Sequence, residues 1–92
     1  MAALGSTAAL EPVRVRYSRE EQAIVLAQEL IGLTSVDVRE VDGGWEVGVR
    51  GVVGDRLIVR VLDAVRHSLG DDFDTSATVF LDGRDYQLHG GA

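Results

Sequence analysis

The sequence predicts an α+β fold: a two-layer sandwich with two helices on one face of a single, mainly antiparallel sheet. Three observations carry this. Residues 54–69, GDRLIVRVLDAVRHSL, place Leu57, Ile58, Val61, Leu62, Val65 and Leu69 at the spacing of one helix face. Two Asp-Gly dipeptides, Asp42-Gly43 and Asp82-Gly83, each sit between runs of alternating apolar and polar residues, the strongest short-range signature of a β-hairpin. A second helical stretch follows a short alternating strand near the start. Strand, helix, hairpin, helix, hairpin is the order of a sheet covered on one side.

Composition bounds the possibilities. Ninety-two residues make one small domain, which buries only about 60–65% of the surface its unfolded chain would expose. There is no cysteine, so neither a disulfide framework nor a thiolate metal site supplements the core. Dimerisation is the remaining common supplement. The net charge of −6 argues against binding to nucleic acid or to an anionic membrane, both of which need a basic surface. All nine basic residues are arginine, and lysine and asparagine are both absent. That bias reads as a GC-rich, bacterial genome and not as a functional choice.

Taken in order, residues 1–12 are small and weakly apolar. They read as a disordered tail, with neither the basic region nor the apolar core of a signal peptide. With no apolar run approaching the ~20 residues of a spanning helix, the chain is expected to be soluble and cytoplasmic. A single domain is expected over 13–89, with 90–92 frayed.

Val13–Tyr17 (VRVRY) alternates as a half-buried strand, with Val13, Val15 and Tyr17 inward. Ser18, followed three residues later by Glu21, has the form of a capping box. The helix over 20–31 would bury Ala23, Ile24, Ala27, Leu30 and Ile31, leave Val25 partly off its face, and stop at Gly32. Strands over 34–41 and 45–49 flank Asp42-Gly43. A two-residue loop sets Val41 against Gly44, Glu40 against Trp45, Arg39 against Glu46, Val38 against Val47 and Val36 against Val49. Val36, Val38, Trp45, Val47 and Val49 then share one face, and the Arg39–Glu46 pair lies on the other. The long helix follows, with Asp55 a candidate cap and Gly70 a stop. In the second hairpin (76–81 and 84–88) the same loop pairs Leu81 with Arg84, Val79 with Tyr86 and Ala77 with Leu88. Thr78 and Phe80 then point the other way, with Asp85 and Gln87.

The two helix-plus-hairpin halves echo each other, with Asp-Gly turns forty residues apart. The order βαββαββ matches the ferredoxin-like arrangement with an added C-terminal edge strand. A right-handed crossover makes its first strand central. Two helix–hairpin units packed side by side are the alternative. The ferredoxin-like topology hosts many unrelated functions and assigns none.

Each candidate site meets a plain structural competitor. The loop Gly51-Val52-Val53-Gly54 precedes a helix start, where free amides favour an anion. Asp55 stands there and repels one, and the loop holds no basic residue. Asp72, Asp74, Ser76 and Thr78 have the alternate spacing that opens a calcium loop. Ala77 replaces the required glycine, however, and Gly83 the closing glutamate. Asp63 and His67 are four apart on a helix, a spacing for an ion pair or two ligands, but no second histidine lies near and His89 stands in the tail. Ser18, Ser35, Ser68 and Ser76 have no nucleophile context. An RNA-binding sheet of the RRM type needs central aromatics on a basic open face. Here Trp45 faces the core, and the open face mixes Arg14, Arg16, Asp37, Arg39, Glu46 and Asp85.

Phe80 is left outward among polar neighbours, with Val41 and Thr78 on the same side of the sheet. An outward phenylalanine beside an edge marks a surface for self-association or for a protein partner. The expectation is a non-enzymatic interaction or regulatory module, without cofactor or metal, acting through the open face or an edge strand. The alternative is a small-molecule sensor with ligand between subunits near Gly51, Gly54 and Asp55. An enzyme built on Asp63, His67 and the acidic loop is a third reading.

Overall fold

The computed structural model describes residues 13–50, 54–71, 74–81 and 83–91. The elements are β1 (Val13–Tyr17), α1 (Glu20–Leu30), β2 (Ser35–Val41), β3 (Gly44–Arg50), α2 (Asp55–Leu69), β4 (Ser76–Leu81) and β5 (Arg84–His89). The strands form one antiparallel sheet in the order β2-β3-β1-β4-β5. This is the ferredoxin-like order with β5 added outside β4, and β1 is central. Side-by-side helix–hairpin units are excluded, because β1 pairs with both β3 and β4.

Both hairpins adopt the register that the Asp-Gly loops predict, pair for pair. Gly43 and Gly83 take φ of +81° and +75°, the left-handed conformation that glycine enters at no steric cost; Asp82 lies outside the described residues. Gly44 has a separate reason to be glycine: a Cβ there would run into the backbone carbonyl of Tyr17.

Alternation sorts the strands into a core face and an open face. Val13, Val15, Tyr17, Val47, Val49, Ala77 and Val79 are buried beneath the helices. Ala23, Leu26 and Leu30 of α1 meet them, with Val61, Ala64, Val65 and Leu69 of α2. Helix α1 lies over β1, β2 and β3, and α2 over β4 and β5. Tyr17 spans the layers. Ser68 donates to the Val65 carbonyl at 2.6 Å, so the Tyr17 hydroxyl donates to Ser68 Oγ at 2.7 Å. Burial holds the Tyr17 phenol protonated well above the usual tyrosine range, against the opposing effect of the Ser68 bond.

Several expectations are corrected. The capping box does not form: Arg19 is the N-cap, it makes no side-chain cap hydrogen bond, and Glu20 opens the helix. The burial of α1 is also rotated from the predicted stripe. Leu26 and Gln22 are buried, while Ile24 and Ile31 are exposed, Ile31 at 73%. The sheet and α2 together select which side of an apolar helix faces inward, and periodicity cannot distinguish two adjacent apolar flanks. In α2 the cap is Gly54, and Asp55 is the first helical residue, placed where the helix dipole favours a carboxylate. Gly70 ends α2 as expected, its amide donating to the carbonyls of Arg66 and His67. Tyr86 belongs to the core-facing set by register yet is 46% exposed, because β5 is an edge. Gly90 and Gly91, expected to fray, donate to the carbonyls of Thr75 and Gly70. Among the described residues no helix is long and apolar enough to cross a membrane.

Candidate functional site

The helices cover one side of the sheet and leave the other open. Register writes that open face in two rows across the strands. One runs Asp37, Gly48, Arg14, Phe80, Asp85; the next runs Arg39, Glu46, Arg16, Thr78, Gln87. Arg50 flanks them on β3. Four of the chain's nine arginines and only three of its fifteen carboxylates lie here. An acidic protein therefore presents one arginine-rich surface.

Glu46 is the centre of the second row. It is 3% exposed although no helix covers it, because arginine side chains close over it. Arg39 lies 2.8 Å from Oε1, Arg16 3.1 Å from Oε2 and Arg14 3.6 Å away. Burial alone would raise the Glu46 carboxyl. The hydrogen bonds from Arg39 and Arg16 and the field of Arg14 and Arg39 outweigh it and hold the carboxyl below its ordinary range. Its contribution to stability is therefore full above the pKa of the unfolded carboxyl and is lost as pH falls through the depressed folded value. At the β2 edge, Asp37 receives Arg50 at 2.6 Å and Arg39 at 3.7 Å.

Phe80 does point to this face, as its register predicts, but it is not a bare apolar spot. The guanidinium carbons of Arg14 and Arg16 lie 4.8 and 5.2 Å from its ring centroid, within cation–π range. Thr78 stands beside it on β4. Val41 does not join them: it pairs with Gly44 at the far end of the edge strand, with β3 and β1 between β2 and β4. Arg50 is the residue that sequence reasoning missed. The first hairpin's alternation, carried one residue past Val49, would have found it.

The alternative sites fare differently. Gly51, Val52 and Val53 lie outside the described residues, and Gly54 and Asp55 open α2, exposed. Asp72 of the acidic loop also lies outside them. Asp63 and His67 line an open groove of about 370 Å³ between the helices, with Glu29, Leu30, Leu33, Arg60 and Ala64. His67 Nδ1 there pairs with Glu29 of α1, not with the intrahelical Asp63. Among the described residues no three metal-ligating side chains cluster.

No protein-family model, no curated protein and no solved structure matches this chain.

Proposed function

We propose that this chain is a non-enzymatic, cytoplasmic interaction module of regulatory type, whose open sheet face receives an acidic segment of another protein. The observation that carries the reading is the Arg14–Arg16–Phe80 group. Two guanidinium groups are held over an aromatic ring on rigid strands, and Arg16 is further tied to Glu46. Held donors lose little freedom when a carboxylate arrives, and arginine suits carboxylates because it can bond them bidentately. The segregation of arginine onto this face supplies the complementary charge. A second copy is a poor occupant of the same face, because arginines would then oppose arginines.

The test is a titration of isotope-labelled protein with a ten-residue peptide alternating glutamate and leucine, followed by amide chemical shifts. Shifts gathered on β1 and β4, weakened by salt and lost in Arg14→Ser/Arg16→Ser, support the reading. Shifts confined to the helices overturn it. So does preferential binding of a single-stranded RNA over the peptide.

A further inference from the structure

We infer that two copies of this chain pair through their β2 edges, in antiparallel register centred on Val38, to form one continuous ten-stranded sheet. Three observations meet here. Among the described residues, no strand pairs with the outer edge of β2. An edge of this kind offers a row of backbone donors and acceptors to another chain. The helix layer above that edge is apolar where it is uncovered. Glu29 of α1 reaches α2 through His67, so Ile24 and Ile31 lie on the opposite side of the helix, and both are exposed on a helix that packs against β2. Val38, on the core face of its strand opposite Val47, is likewise 38% exposed.

The third observation is self-complementarity. A two-fold axis perpendicular to the sheet keeps both helix layers on one side and sets a residue opposite itself. Centring on Asp37 opposes two carboxylates, and centring on Arg39 opposes two guanidinium groups. Centring on Val38 sets Val38 against Val38 and Asp37 against the partner's Arg39, twice by symmetry; Val36 then meets Glu40. This register alone gives two opposite-charge cross-strand pairs. The other edge, β5 (RDYQLH), has no such register, since its only acid, Asp85, falls opposite Asp85, Gln87 or His89. The pairing also places the two arginine-rich faces side by side, so the dimer is bivalent for whatever binds them. It does not depend on the Arg14–Arg16–Phe80 group, which lies on β1 and β4, although Asp37 and Arg39 of the paired edge also belong to the open face.

Sedimentation across a concentration series, with oxidative cross-linking, tests the pairing. The chain has no cysteine of its own, so Val38→Cys reports one position cleanly, and its fold is checked by circular dichroism. The expected result is a concentration-dependent dimer, a disulfide between the two Val38→Cys positions, none in a Thr78→Cys control, and dimerisation weakened about tenfold or more by Asp37→Arg. A wild type that stays monomeric to several hundred micromolar overturns the inference. So does a dimer that Val38→Cys fails to cross-link and Asp37→Arg leaves intact. Arg14→Ser/Arg16→Ser changes β1 and leaves the β2 edge residues in place, so its dimerisation is read separately from its peptide binding and the two proposals fail independently.

Discussion

The two helices make an instructive pair. Both lie on the same sheet and enclose the same core, yet only α2 uses its apolar stripe as periodicity predicts. Its buried residues, Val61, Val65 and Leu69, come from one face, and Ala64 completes it. Helix α1 has a broader apolar surface than the sheet can cover. It buries Ala23, Leu26 and Leu30 and leaves Ile24 and Ile31 outside. The difference teaches that a stripe wider than its contact area is divided by the neighbours, and that the uncovered share remains available for a second contact.

Substitutions on the two helices sharpen or break that comparison. The largest effect is expected on the sheet-facing sides. Leu26→Ala should cost about 2–5 kcal/mol, and Val65→Ala somewhat less, measured by denaturant unfolding. Ile31→Ala should stay within about 0.5 kcal/mol in the monomer. Equal losses at Leu26 and Ile31 would show that α1 is not divided as described.

The tie between the sheet and α2 comes next. Tyr17→Phe leaves Ser68 its bond to Val65 and should cost about 0.5–1.5 kcal/mol. The same phenol sets an alkaline limit. It is protonated in the fold, whereas an unfolded tyrosine ionises at about 10. Stability should therefore decline as pH rises past the unfolded value, and Tyr17→Phe should flatten that decline. An unchanged alkaline unfolding curve in the variant would remove Tyr17 as its cause.

The ends of the helices give smaller effects. Gly70 has φ of +68° and closes α2. Gly70→Ala should cost about 1 kcal/mol. Ser18→Ala, before α1, should cost less than about 0.5 kcal/mol, because no cap bond is lost there. A loss near 1 kcal/mol at Ser18 would restore the capping box.

Much of the open face was legible and its assembly was not. Alternation put Phe80, Thr78, Arg39 and Glu46 on the correct side, and the Arg39–Glu46 pair followed from the Asp-Gly loop. The Arg16–Glu46 bond and the stacking of Arg14 on Phe80 join residues far apart in the chain. They exist only because β1 lies between β3 and β4 with Arg14 opposite Phe80 and Arg16 opposite Glu46. Without that register, Phe80 reads as an exposed apolar residue. With it, the ring is the base on which two arginines are held.

By itself the sequence determined the elements, both hairpin registers and the side of the sheet each strand residue faces. These depend on interactions within a few residues: turn chemistry, strand alternation and the helical repeat. Tertiary structure alone decided which flank of α1 is buried, that Arg19 and Gly54 occupy the cap positions, and that three arginines enclose Glu46. Those outcomes are set by what packs against each element from elsewhere in the chain, and local periodicity does not carry that information.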